Sequence, residues 1–333
     1  MTLTQHTIAC LIAIATVTSA AHAVSSAEFY TSEAHQYGRF EARIRFAAGD
    51  GVVSSFFLWK NGSEVAGTFW NELDFEKLGA DCHLETNAYF GSPAVVHSQK
   101  HVLVGDLCGE FHTYAYEWTP DYIAWQVDGI EIRRESGATA AAYSANATAG
   151  MQMRFNIWPG DASFGGNFRP SILPLYQFIN WAQYSSYSAG AFTLAWRQDF
   201  DAGSAPTGWL TGNWGSPKNL STHAPGNVNF VDGFAVLALT ADNSLGTTGV
   251  VPSDTGGTAI VPASGAGGAT GAGGSNASVG GAGAAQPEVT ASDGGGCRVA
   301  VAQSTRSSAV VTLLGVLAGA VLVRRRRAKG SAL

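Results

Sequence analysis

Residues 151–158 read MQMRFNIW, and every second side chain is apolar. In an extended strand Met151, Met153, Phe155 and Ile157 fall on one face, and Gln152, Arg154, Asn156 and Trp158 on the other. The same period of two recurs in SSFFLWKN, where Ser55, Phe57, Trp59 and Asn61 share a face and Phe56 and Leu58 the opposite one. Short runs with this period select strands, and no long helical period is present. FHTYAYEWTPDYIAWQVDGIEIR holds two more strand-like runs and then Asp128-Gly129, a pair suited to a tight hairpin turn. These patterns predict an all-β chain, an antiparallel β-sandwich with one curved sheet forming a concave cleft. Polar and aromatic side chains mixed on the second face of 151–158 suit a groove that binds sugar.

The alternation occupies only residues 24–241. Before it, Ile8–Ala20 is largely apolar and Ala21-His22-Ala23 is a small-x-small cleavage site, so residues 1–23 read as a secretory signal peptide, although without Lys or Arg at its start. After it, residues 242–296 are mostly Gly, Ala, Ser, Thr and Pro, a composition that buries too little surface to fold and reads as a disordered spacer. Residues 297–333 hold Cys297, an apolar run from Ala309 to Val323 and four arginines, Arg324–Arg327. That is a short membrane segment or sorting tail, which leaves the folded part outside and tethers it to the cell envelope. Cys82 and Cys108 either pair in an oxidising compartment or remain as two buried thiols. The net charge of -6, with no basic patch ahead of the tail, argues against nucleic acid as a partner, and a monomer is expected. The histidines show no zinc-binding spacing, and no G-x-S-x-G elbow supports a serine hydrolase.

WNELDFEKLG (70–79) is the unusual segment of a chain with only 13% charged residues. As a strand it puts Glu72, Asp74 and Glu76 on one face, with Leu73 and Phe75 on the other. Like charges disfavour joint ionisation, so the charge of Asp74 is expected to keep a neighbouring carboxyl protonated, giving one strand both an ionised nucleophile and a proton donor. The Cα atoms of Glu72 and Glu76 should lie about 13 Å apart. Side chains leaning inward suit a retaining glycosidase and upright ones an inverting enzyme, so spacing leaves the stereochemistry open. A solvated strand face and a calcium site are the competing readings, but a solvated face mixes signs and calcium sites favour loops.

Glu72-Leu73-Asp74-Phe75-Glu76 resembles the E-x-D-x-E signature of glycoside hydrolase family 16. The flanking stretches EFYTSEAHQYGRFEARIRFAA, GVVSSFFLWKNGSEV, MRFNIW and LPLYQFINW resemble one branch, the circularly permuted bacterial lichenases (1,3-1,4-β-glucanases), over about residues 27–241. FTLAWRQDFD, GNW and NVNFVDGFAVLALT close the domain here, whereas that block opens it in ordinary members. The tail resembles MYXO-CTERM sorting signals. The resemblance implies a jelly-roll, concanavalin-like sandwich and retaining endo-hydrolysis of mixed-linkage β-glucan, with no cofactor in the chemistry. By it, Glu72 is the nucleophile, Glu76 the general acid and then base, and Asp74 the residue that orients the nucleophile. It also implies sugar contacts at Phe57, Trp59, Asn61, Arg154, Asn156, Trp158 and Trp214, and a structural calcium at Asn180, Asp199 and the Gly233 carbonyl. Glu85 stands where close relatives carry Gln near the scissile sugar, Lys77 replaces an apolar residue, and Phe164 stands where a Trp is expected in a shortened segment. A surface lectin on the same sandwich, or a transglycosylase or laminarinase relative, are the alternative readings.

Overall fold

The computed structural model describes residues 24–257 and the short strand at 261–262. The expected signal peptide, most of the spacer and the tail lie outside the described residues. The strands run in the order β1 (Val24–Thr31), β2 (Gly38–Arg45), β3 (Val52–Trp59), β4 (Trp70–Leu78), β5 (His83–Gly91), β6 (Ala94–His101), β7 (Leu103–Val104), β8 (His112–Trp118), β9 (Tyr122–Val127) and β10 (Ile130–Ser136). After helix α1 (Ala138–Asn146) come β11 (Gln152–Pro159), β12 (Leu175–Ser188), β13 (Ala191–Gln198), β14 (Trp209–Thr211), β15 (Thr222–His223), β16 (Val228–Val231), β17 (Phe234–Ala241) and β18 (Val261–Pro262).

The hydrogen-bonded order β10-β9-β8-β2-β12-β17-β1-β11-β3-β4-β5-β6 folds into two antiparallel layers joined where β17 meets β1. One layer is β6-β5-β4-β3-β11-β1 and the other is β10-β9-β8-β2-β12-β17. The architecture is the expected jelly-roll β-sandwich. Apolar alternate residues meet between the layers: Phe56, Leu73, Phe75, Met153, Phe155 and Ile157 from the first, and Phe40, Tyr114, Tyr116, Trp125, Ile179 and Leu237 from the second, are all at most 1% exposed. Asp128-Gly129 forms the β9–β10 hairpin turn with φ of 49° and 80°, the doubly positive pattern of such turns.

Polar tips on the second layer and on α1 hold the backbone of β4 from beneath. The Tyr116 hydroxyl lies 3.1 Å from the Leu73 carbonyl, Trp125 Nε1 donates to the Asp74 carbonyl at 3.1 Å, and the Tyr143 hydroxyl of α1 lies 2.6 Å from the Glu72 carbonyl. Cys82 and Cys108 are disulfide-bonded, which ties the β4–β5 turn to the loop before β8. Among the described residues no helix is long and apolar enough to cross a membrane.

The structure corrects the domain boundary. The chain stays on the sandwich past Ala241: Asp254, in the stretch expected to be spacer, accepts two bonds from Arg43 and one from Asn180. A lone acid in a Gly/Thr-rich run carries too weak a sequence signal to reveal this.

Candidate active site

Register assembles the site on the open face of the first layer. Glu72, Asp74 and Glu76 of β4 stand opposite Trp59, Phe57 and Ser55 of β3, and opposite Tyr89, Asn87 and Glu85 of β5. Beyond β3, Arg154 pairs with Phe57 and Asn156 with Ser55, and β1 adds Tyr30 beside Arg154 and Glu28 beside Asn156. Two rows therefore cross the sheet, Tyr30-Arg154-Phe57-Asp74-Asn87 and Glu28-Asn156-Ser55-Glu76-Glu85. The expected face of the carboxylate strand is the observed one.

The three acids are held differently. Glu72 keeps a partly open face and accepts a 2.8 Å bond from Trp70 Nε1. Burial pushes its carboxyl up to about 7, against the pull of the Trp70 N–H and of Arg154. Asp74 is 4% exposed, and its enclosed Oδ2 meets no N–H or O–H donor among the described residues. Burial first, and then the charge of Glu72, hold Asp74 well above the usual carboxylate range. It therefore keeps a proton, which it can donate to Glu72. Glu76 is 7% exposed and accepts a 2.7 Å bond from Asn87 Nδ2. Burial, then the charges of Glu72 and Glu85, raise it well above its ordinary value. The expectation that the charge of Asp74 protonates its neighbours is thus reversed: burial makes Asp74 itself a proton holder.

The expected sugar contacts divide. Trp59 is half-buried, edge-on to Trp70 at 5.3 Å. Phe57 lines the floor at 6% exposure. Arg154 donates to Glu28 Oε1 at 2.7 Å and lies over the Tyr30 ring at 4.4 Å. Asn156 Oδ1 and Ser55 Oγ are enclosed and have no partner among the described residues. Trp214 is 40% exposed and 5.7 Å from Tyr30, forming an open aromatic wall. Glu85 flanks Glu76 directly.

Two of the expected contacts are placed differently from the expectation. Asn61 is not on the strand: β3 ends at Trp59, and Asn61-Gly62 enters an exposed turn with Gly62 at φ 85°. Asn-Gly is a turn pair, and that signal outweighed the alternation. Trp158 sits on the cleft side of β11 but is 1% exposed, stacked on Phe164 and packed with Val53 and Leu78. Its ring has no open face for a sugar. Sequence reasoning missed Glu28, Tyr30, Trp70, Asn87 and Tyr89. Tyr30 and Glu28 alternate in AEFYT, and Asn87 and Tyr89 continue the parity of Glu85, so the period of two held that signal.

The three expected calcium ligands lie near one point of the second layer. β12 changes partner there: Ile179 pairs with Ala235 of β17, and Ala182 pairs with Gln198 of β13. Asn180 lies between, and Gly233 and Asp199 lie just beyond those partners. Asn180 Nδ2 donates to Asp254 at 2.9 Å, a bond that does not use its Oδ1. Asp199 meets Arg197 through Oδ1 at 2.7 Å. The donor set is all oxygen and fits a hard cation.

The sequence profile described as "Glycosyl hydrolases family 16" matches residues 3–183. A β-glucanase of Fibrobacter succinogenes (strain ATCC 19169 / S85) is 39% identical over 258 residues, covering 74% of this chain and 72% of its own. A β-glucanase of Paenibacillus macerans is 33% identical over 170 residues, covering 50% of this chain and 68% of its own. A solved Bacillus licheniformis β-glucanase superposes with a TM-score of 0.41 at 24% identity, covering 50% of this chain and 78% of that one. With the profile spanning more than half its length and a relative aligned over most of it, this chain belongs to glycoside hydrolase family 16.

Proposed function

We propose that this glycoside hydrolase is an endo-β-glucanase that cleaves mixed-linkage 1,3-1,4-β-glucan with retention of configuration, and that Glu72, Asp74 and Glu76 carry the reaction. The observation that carries the reading is the difference among three acids on one strand face. Glu72 gives up its proton first, beside a proton-bearing Asp74 and the Trp70 N–H, while Glu76 retains its own. A retaining hydrolase needs this division of labour. The Glu72 carboxylate attacks the anomeric carbon as Glu76 gives its proton to the departing glycosidic oxygen, and a glycosyl ester forms on Glu72. Glu76, now ionised, takes a proton from water as that water attacks the same carbon, and Glu72 leaves. Asp74 donates to Glu72 and keeps it oriented.

Trp59, Tyr30 and Trp214 offer flat apolar faces to the C–H surfaces of pyranose rings. Ser55 and Asn156 stand in the row of Glu76, with Ser55 Oγ and Asn156 Oδ1 enclosed and without partners among the described residues. The preference for mixed linkage rests on the sequence resemblance; the two relatives are β-glucanases by name. We also infer export from the cytoplasm, supported by the Cys82–Cys108 disulfide, with the tail as the tether, and a structural calcium held by Asn180, Asp199 and the Gly233 carbonyl. Such an ion would brace the second layer and take no part in the chemistry.

The test is sugar release from mixed-linkage glucan, laminarin and carboxymethyl cellulose by the wild type, Glu72→Ala and Glu76→Ala. Each variant should lose at least ~10³-fold in kcat. Added azide should rescue the two on an activated glycoside, with an α-glycosyl azide from Glu72→Ala and a β-glycosyl azide from Glu76→Ala. A Glu72 variant with wild-type turnover removes that residue from its role.

A further inference from the structure

Next to Glu85 the open face continues into a recess of about 670 Å³ that Asp50, Asp81, His83, Glu85 and Lys100 line together with apolar and small residues. Asp81, His83 and Glu85 follow one another along its floor, and both ring nitrogens of His83 face a carboxylate. Nδ1 is 2.9 Å from Asp81 Oδ1, and Nε2 is 3.4 Å from Glu85 Oε1. Glu85 is the direct cross-strand partner of Glu76. Residues so paired on one face hold their Cβ atoms about 4.5–5.5 Å apart, where two carboxylates resist joint ionisation. On its other side Glu85 is opposite Lys100 of β6, which also lines the recess.

The groups that face Glu76 are thus Glu72 and Asp74 along β4, Ser55 from β3, and Glu85 and Asn87 from β5. Lys100, His83 and Asp81 stand behind Glu85, and Asp50 lines the far wall of the recess. Asp74 holds a proton and Asn87 donates to Glu76. Apart from Glu72, then, Glu85 is the carboxylate placed against Glu76.

We propose that Glu85, seated against Glu76 and held from behind by His83, is a positioning residue that keeps the proton on Glu76 and so sets the alkaline limit of the reaction. The proposal rests on the reading of Glu76 as the acid/base. The charge of Glu85 already contributes to raising Glu76. On this proposal Lys100, the cross-strand partner of Glu85 on β6, should offset part of the charge of Glu85. The two residues should then act on one proton with opposite signs, which a merely structural role would not produce.

The experiment uses the full chain. kcat/KM on mixed-linkage glucan is measured against pH for the wild type, Glu85→Gln and Lys100→Gln. In parallel, a carboxyl NMR titration of glutamate-labelled protein follows Glu76, assigned by the loss of its signal in Glu76→Gln. In Glu85→Gln the Glu76 midpoint and the alkaline limb should fall together by on the order of one pH unit. In Lys100→Gln both should rise. An unmoved Glu76 midpoint in Glu85→Gln overturns the proposal. If that variant does not fold, Lys100→Gln decides, and a midpoint that stays or falls there overturns it equally. A wild type that cleaves no β-glucan defeats the hydrolase reading, while the NMR midpoints still decide the coupling of Glu85 to Glu76.

Discussion

Glu72 and Glu76 have the same side chain and opposite tasks, and their neighbours separate them. Trp70 and Asp74 offer hydrogens to Glu72, which favour its charged form; Glu76 has one amide from Asn87 and two nearby negative charges, from Glu72 and Glu85. The pH profile follows from these signs. A nucleophile must be ionised, and Glu72 stands at about 7 instead of 4.5, so kcat/KM should fall as pH drops through about 7. The alkaline limb belongs to loss of the Glu76 proton. Because the acids share charge, each limb is a property of the group. Trp70→Phe removes an N–H that favours the ionised form and should move the acid limb further up. Measured profiles check both statements, and an acid limb near 4.5 in the wild type would mean that Glu72 is not desolvated as described.

At the scale of one element, β4 does two jobs with its two faces. The outer face carries the acids, and the inner face carries Leu73, Phe75 and Lys77, each fully buried. Lys77 is the anomaly, an amine sealed at 0% exposure with a 3.2 Å bond to the Gly79 carbonyl, and burial pulls it down to about 7. Its folded value lies below the unfolded one, so folding is penalised fully below pH 7, and the penalty fades as pH rises toward 10.5. Lys77→Met should therefore stabilise, most strongly at or below pH 7, by on the order of 2 kcal/mol. That is roughly 4–8 °C in Tm for a domain of this size. Thermal melts at acid, neutral and alkaline pH check it, and a gain that grows with pH would contradict it. The strands β3, β4 and β11 and the Asp128-Gly129 turn were legible because a period of two fixes which face a side chain takes. Periodicity does not say what covers that face, so Trp158 was expected in the cleft and is sealed beneath it. It also says nothing of partners on other strands. The parity of Glu28 in AEFYT gives its face, but only register sets it in the row of Glu76, and Trp70 reaches Glu72 only through its side chain. The short helix α1, alanine-rich in ATAAAYSAN, had too weak a stripe to be read.

For the whole molecule, the cleft layer is braced by a second layer that the chain leaves late. After β17 the chain crosses the outer face of that layer. There the Tyr176 hydroxyl is 2.8 Å from Thr248 Oγ1, and Asp254 accepts both Nε and Nη2 of Arg43 at 2.8 Å and Asn180 Nδ2 at 2.9 Å. β18 then pairs with β7. Arg43 projects outward between the core residues Ala42 and Ile44 of β2, and among the described residues its guanidinium has, besides Asp254, the carboxylate of Asp128 at 3.7 Å. The segment is thus part of the folded unit, and a protein cut after Ala241 is an incomplete sandwich. The bond with Arg43 holds Asp254 at about 2, below its ordinary 3.8. Its contribution is therefore present above pH 3.8 and lost as pH falls through about 2. Asp254→Asn should cost about 1–2 kcal/mol at neutral pH, and truncation after Ala241 should cost more. Turnover at moderate temperature should be unchanged, since the acids stand on the opposite layer. Unfolding in denaturant at pH 7 and at pH 2 measures both effects. A truncated chain as stable as the full one would show that the segment rests on the sandwich without holding it together.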